Sequence, residues 1–362
     1  VNSLRQSICL TLTLVAGLPV FAGEPVEIVP PELRGAAQPQ VAVSAKGDVY
    51  VAFGRSGSFY CAASPDGGRT FQPPVRVGSL QKAALGMRRG PRIAVTERGV
   101  VVSAISHADG NLVAWFSSDQ GATWSAAARI NSVTNSAREG LHAMTGDGRH
   151  TVHSAWLDLR NGKTELWGAS SADGGDTWGE NRLIYKSPDG HICECCHPSL
   201  AVDGRGRVWV MWRNWLDGAR DMYANVSEDG GRTFAPARKL GTGTWTLKAC
   251  PMDGGQLSFG VDDTLRSVWR RDKAIVAAGE TGERVLSEQG LQPIVVSGSG
   301  TVFYLWQQGP KLMMKRGSAA EAVLAESGAF ASAASVSPTA TPVIAWETSR
   351  GGAKTILVQR LE

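Results

Sequence analysis

The sequence predicts an all-β chain built from repeats, and three observations carry that expectation. First, the chain holds 43 glycines and 12 tryptophans among 362 residues, a composition that suits many turns and many short strands. Second, one eight-residue phrase recurs four times. Third, short runs of alternating β-formers lie between its copies. Hydrophobic residues make up 43% of the chain and charged residues 19%, enough to bury a large core. The net charge is +4 and the lysines and arginines are scattered. No basic stripe is offered to nucleic acid, which excludes that partner class.

At the amino terminus Arg5 is followed by a mostly apolar run over residues 8–21, and then by Ala22. Small residues at Val20 and Ala22 fit the positions that a signal peptidase reads. This pattern predicts a secretory leader over residues 1–22, cleaved near Ala22, and it is too short for a membrane span. The opening valine reads as an alternative bacterial start codon, and Cys9 lies too early for lipoprotein cleavage. Residues 23–362 are then expected to be one domain, periplasmic or secreted, where disulfides persist. It contains Cys61, Cys193, Cys195, Cys196 and Cys250. With an odd number, at least one thiol is free, metal-bound, haem-linked or paired with another chain.

The recurring phrases are SPDGGRTF (64–71), SSDQGATW (117–124), SADGGDTW (171–178) and SEDGGRTF (227–234), with starts 53, 54 and 56 residues apart. Near-constant period is the mark of a repeat architecture. The aspartate can accept backbone N–H bonds within a tight turn, and the glycine tolerates positive φ. Four copies of one turn make Asp66, Asp119, Asp173 and Asp229 scaffold, with the ring at the end packed between units.

These phrases resemble the Asp-box, or BNR repeat, of the sialidase superfamily, and the resemblance implies a β-propeller. The strands support it independently. In the fourth unit PSLAVD, RVWVMWRN and DMYANVS precede the box and ARKLG follows it. The second run usually ends in an aromatic and then a polar residue, at Phe53, Trp156, Trp212, Trp269, Trp306 and Trp346, whereas the second unit has VVSAISH. This signature counts seven units, near residues 38, 89, 140, 196, 250, 291 and 329, where the resemblance implies six. Seven four-stranded blades are therefore favoured over six. The last unit ends at TILVQRLE without a fourth strand, and PVEIV (25–29) is the candidate to supply it and close the ring.

In a propeller the boxes mark one face, and the 4-to-1 and 2-to-3 loops surround the channel mouth on the other. Functional residues are expected on those loops. GHICECCHPS (190–199) is the 4-to-1 loop entering the fourth unit, and GTGTWTLKACPMDGG (241–255) is the same loop one unit later. Four cysteines thus fall on two adjacent loops, while Cys61 sits on a strand as a small buried hydrophobe.

Three readings of this cluster stay open. Cys250 can form a structural disulfide with Cys193, Cys195 or Cys196. Cys193, Cys195, Cys196, Cys250, His191, His197 and Met252 can converge on copper or zinc, since thiolates select Cu(I) or Zn and imidazole suits both. Cys193, Cys196 and His197 also satisfy C-x-x-C-H for covalent haem c. The C-x-C-C and CPMDGG loops resemble those of a poorly characterised bacterial branch of BNR-repeat proteins, apart from sialidases proper, which implies no activity.

The sialidase resemblance would imply three arginines, a tyrosine nucleophile with its glutamate, and an aspartate. The Phe/Tyr-Arg-Ile-Pro motif is absent, and Tyr304 lies within a strand. Arg89, Arg160, Arg213, Trp215 and Trp245 are the substrate-binding candidates at the mouth. The leading expectation is a Cys/His metal site there, most readily copper, for redox chemistry or metal handling. The alternative is a glycan-directed protein, either a hydrolase or a carbohydrate binder, whose cysteines only brace loops. The partner at the mouth is then a small molecule, a metal ion or a glycan.

Overall fold

The computed structural model describes residues 23–279 and 282–362, and the leader assigned to residues 1–22 lies outside them. Within the described residues, 28 strands form seven antiparallel four-stranded sheets. The seven inner strands are Ala37–Val43, Arg92–Thr96, His142–Gly146, Ser199–Val202, Gly255–Phe259, Leu291–Gly298 and Ala329–Ala334. Consecutive inner strands contact one another all the way round, blade 7 meeting blade 1. This is a seven-bladed β-propeller. The outer strand of blade 7 is Val26–Glu27, which pairs with Val358 and Leu357. Among the described residues no helix is long and apolar enough to cross a membrane.

The phrase found four times in the sequence has a physical explanation here. In blade 3, Ser171 Oγ donates to Asp173 Oδ1 at 2.7 Å and accepts the Gly175 N–H at 2.7 Å. Thr177 donates its N–H to Asp173 Oδ1 at 2.9 Å and its hydroxyl to Oδ2 at 2.6 Å. The same bonds close the turns at Asp66, Asp119 and Asp229. In the second turn the Thr123 hydroxyl, its N–H and the Ser117 hydroxyl hold the Asp119 carboxyl down at about 2. These carboxylates are occupied by their own turns.

Each turn also seals a blade against the one before it. A Cβ on Gly175, at φ +105, would lie 2.7 Å from Cβ of Val101 in blade 2. A Cβ on Gly231 would meet Ser170 of blade 3 at 3.0 Å. The ring that ends each box enters the same seam. Phe71 packs with blades 7 and 1, Trp124 with 1 and 2, Trp178 with 2 and 3, and Phe234 with 3 and 4.

The aromatics near the ends of the second strands are core residues: Phe53, Trp156, Trp212, Trp269, Trp306 and Trp346 are all buried. Blade 2 breaks the pattern with a small residue: the position that holds Phe53, Trp156 and Trp212 in blades 1, 3 and 4 is Ala104, fully buried opposite Val113. One residue earlier, the Ser103 hydroxyl lies 2.9 Å from Nε2 of the buried His142 on the inner strand of blade 3.

Two stability predictions follow from this packing. Gly175→Val forces a side chain into the blade 2–3 seam from a left-handed backbone, and is expected to cost roughly 2–3 kcal/mol in chemical denaturation. A second concerns acid. Burial holds the His153 imidazole down at about 4 and that of His142 well below its ordinary value. The unfolded chain therefore takes up protons near pH 6.5 that the fold refuses until about 4. Stability is expected to fall as pH drops through that window, and His153→Gln to flatten the slope of unfolding free energy against pH.

Candidate functional site

The site is built from loops that enter and leave the inner strands at the face opposite the boxes. The cysteine loop is tied down at both flanks. Ile192 N–H bonds Thr164 O at 3.1 Å and Cys193 N–H bonds Arg213 O at 3.0 Å. This turns the three thiols inward. Cys193, Cys195 and Cys196 have 1%, 7% and 1% exposure, and their sulfur atoms all lie within 4.8 Å of one another. Cys193 Sγ is 2.7 Å from Cys196 Sγ and 3.7 Å from Cys195 Sγ. Contact with Cys195, together with burial, pushes the Cys193 thiol up to about 12. Burial raises that of Cys196 further.

The next blade's loop, with Cys250 and Met252, lies against this cluster. The Met252 side chain packs on the three cysteines, and its backbone is left-handed, at φ +56. Cys250 is exposed, and its contact with Cys195 adds to the rise in that thiol's pKa. All five cysteines among the described residues are free thiols. The expected Cys250 disulfide is therefore not formed in this structure: three sulfurs turn inward together, while Cys250 stays at the surface.

Buried guanidinium groups brace the second loop by its carbonyls. Arg213, 1% exposed, donates to the carbonyls of Asp253, Arg220 and Arg270 at 3.0, 2.7 and 2.8 Å. Arg270 pairs with Asp253 at 2.9 Å and bonds Pro251 O at 2.6 Å. Gln292 donates its N–H to Asp253 Oδ2 and its amide to Met252 O. The two glycines of CPMDGG are required by close approach. A Cβ on Gly254 would lie 2.7 Å from His197 Nδ1, and one on Gly255 would lie 2.7 Å from Val268 O.

The two histidines expected beside the cysteines point elsewhere. His191 Nδ1 lies 3.5 Å from Glu194 Oε1, and its ring tilts against Trp215 at 6.2 Å. His197 faces the bore, where a cavity of about 90 Å³ is walled by all seven blades. Burial, with Arg88, Arg92 and Arg213 nearby, holds its imidazole well below the ordinary value. Neither histidine joins the group of ligand atoms within 4.8 Å.

The substrate-binding candidates separate in the same way. Arg160 is locked in an ion pair with Asp158 at 2.9 Å and lies over Trp167 at 3.7 Å. Arg213 and Arg270 lie over Trp245, at 5.1 and 5.2 Å, and the ring is 9% exposed. These three side chains hold loops together and have no free face for a substrate. Arg89 bonds Glu139 O at 2.8 Å. Trp215 keeps an open face at 38% exposure, with Arg220 stacked at 4.0 Å.

Glu139 and Glu194 sit on the loops entering blades 3 and 4, within electrostatic reach of each other. Burial and the Glu194 charge raise the Glu139 carboxyl above its usual range. Arg88, Arg92 and Gln292 are passed over in the sequence analysis. The signal was the run MRRGPRIAV, from which Arg89 was taken. A left-handed turn at Met87 and Arg88 instead sends Arg88 to Gln292 Oε1 at 2.6 Å and to Ala331 O at 2.7 Å. Arg88 and Arg92 line the axial cavity, whose wall holds no carboxylate among the described residues.

Comparison with known proteins agrees with this architecture. Residues 100–244 match the family model described as a BNR repeat-like domain. No curated protein matches the chain. A protein of unknown function from Dyadobacter fermentans shares 15% identity over 94% of this chain and 98% of its own, with a TM-score of 0.53. AofleA from Arthrobotrys oligospora shares 12% identity over 81% of this chain and 87% of its own, at 0.53. The GH93 α-L-arabinofuranosidase of Fusarium graminearum, solved with arabinobiose, shares 12% over 93% and 97%, at 0.51. The fold is a seven-bladed propeller, and residues 100–244 carry the BNR-like repeats.

The Gly254 contact gives a direct test of how the two loops are joined. In the wild type only Cys250 is expected to react quickly with a maleimide, the other loop thiols being shielded. Gly254→Ala is expected to part the loops, so that mass spectrometry finds Cys193 and Cys196 labelled at a much higher rate.

Proposed function

We propose that the channel mouth is a glycan site at which paired carboxylates hydrolyse a glycosidic bond. The observation that carries this reading is a half-buried Glu139 whose carboxyl is raised by burial and by the charge of Glu194 on the next loop. One is half-buried with a raised pKa; the other is 46% exposed at its side chain. Two carboxyl groups in unlike environments divide acid and base work between them. Glu139, protonated more readily, is the general acid that gives its proton to the leaving oxygen. Glu194 is the partner carboxylate that acts on the anomeric centre or on the attacking water.

Other features support the same class. Trp215 offers an aromatic face at the mouth, a surface on which the apolar side of a sugar ring stacks. The axial cavity below, about 90 Å³, is too small for a sugar ring, so the substrate is held on the rim loops. The arabinofuranosidase named above has the same fold, which lends the reading its substrate class. A tyrosine-nucleophile mechanism has less support: Tyr304 is 3% exposed within a strand.

A panel of chromogenic aryl glycosides, α-L-arabinofuranosides and sialosides included, is the test. Turnover of one of them is expected. Glu139→Gln should lower kcat by roughly 100-fold or more, the usual weight of a general acid, while Trp215→Ala should mainly raise KM. Activity is expected to fall as pH rises through the raised Glu139 value, because the acid is then deprotonated. No turnover across the panel, or full activity in Glu139→Gln, refutes the assignment.

A further inference from the structure

The thiol cluster is not used by that chemistry, and its geometry calls for an occupant. We propose that Cys193, Cys195 and Cys196 form a three-sulfur site for a single Cu(I) ion, with the Met252 thioether as a weak fourth ligand. This goes beyond the glycan reading and stands independently of it.

Four observations carry the proposal. The three sulfurs lie within 4.8 Å of one another and come from four consecutive positions, 193–196, of one loop. A trigonal ion with metal–sulfur bonds of about 2.3 Å spaces its sulfurs about 4 Å apart. The 3.7 Å separation of Cys193 and Cys195 already fits that spacing. The 2.7 Å pair, Cys193 and Cys196, has to open.

Met252 supplies the second observation. A thioether side chain rests on the three thiols, and its residue is held in a left-handed conformation that a non-glycine residue rarely adopts. The strain is maintained by Gln292, which bonds Met252 O at 3.0 Å, and by the Asp253–Arg270 pair next to it. Backbone strain upheld by a network of this kind marks functional positions.

The third observation is an unbalanced charge. Arg213 is fully buried, yet all three of its hydrogen bonds go to neutral carbonyls. It takes part in no ion pair among the described residues. Its charge acts on Cys193 and Cys196. A buried cation is costly unless something negative offsets it. A Cu(I) ion held by three thiolates carries a net charge of −2, and each thiol that coordinates releases one proton to solvent. The complex would supply the anion that Arg213 lacks.

The fourth concerns which metal. The convergent donors are all sulfur, and neither His191 nor His197 joins them. Soft thiolate and thioether donors select Cu(I), while carboxylate and water favour hard cations. The same cysteines, buried and turned toward one another, suit a lone ion.

The experiment uses the full chain, reduced and kept anaerobic, titrated with Cu(I) against a chromophoric chelator of known affinity. One equivalent is expected to bind. X-ray absorption should find a first shell of sulfur alone, near three atoms. Cys195→Ser should lose stoichiometric binding, while Cys61→Ala, remote on its strand in blade 1, should keep it. Circular dichroism and thermal unfolding confirm that each variant is folded. Met252→Leu should weaken affinity roughly tenfold without changing stoichiometry. Because Cys195→Ser still folds if only packing is at stake, its behaviour separates a ligand from a core residue. Failure of the reduced, folded wild type to bind copper overturns the proposal. So does a nitrogen-rich shell, tighter binding of Zn(II) than of Cu(I), or undiminished binding by Cys195→Ser.

Discussion

A ring of sheets is stable only if every sheet meets the next without a gap, and this constraint governs the molecule. Each blade is apolar on both faces, so its stability depends on its two neighbours. The Asp-box turns meet this requirement at four seams. Their Ser, Asp and Thr close the turn internally. Their glycine allows the chain to pass against the preceding blade, and their terminal ring fills the seam. Where the box is missing, in the last three blades, apolar clusters across the seams do the same work, as Val295, Tyr304 and Trp306 do beside Val268 and Ile275.

The opposite face follows another rule. Its loops are long, and their carbonyls need partners away from water. Buried arginines provide them. Arg213 ties two loop carbonyls to that of Arg270 on a strand, Arg270 holds Pro251 and Asp253, and Arg88 reaches across to blades 6 and 7. Arginines that read from the sequence as substrate contacts thus serve as internal braces. Their cost is a concentration of buried positive charge around the bore, and this charge sets the electrostatics of every group near it, from the neutral His197 to the thiols.

Two groups of side chains sit side by side at the mouth. The carboxylates Glu139 and Glu194 lie on the rim loops with the exposed Trp215. The three thiols lie beneath, closed to anything larger than an ion. Glu194 belongs to the cysteine loop itself, so whatever holds that loop in place also positions a rim carboxylate. This gives the thiol cluster a structural consequence for the rim whether or not the two sites work together.

The number of blades, their strands and the place of the cysteine loops were legible in the sequence because they depend on local patterns. A box turn closes with its own side chains, and alternation reports which face of a strand is buried. Even the irregular second blade was visible as a missing ring, at Ala104. The direction taken by the mouth residues was hidden. His197 and Cys196 are neighbours in sequence, yet one faces the bore and the other the thiol cluster. Arg88 and Arg89 are neighbours too, and a left-handed turn sends them to different blades. Such choices rest on contacts between residues hundreds of positions apart, as between Arg88 and Ala331, and on backbone strain that only the assembled ring sustains. The sequence alone determined a repeated all-β scaffold with sulfur at its mouth. Only the tertiary structure decided which side chains meet there, because burial and long-range hydrogen bonds, and not local propensity, orient them.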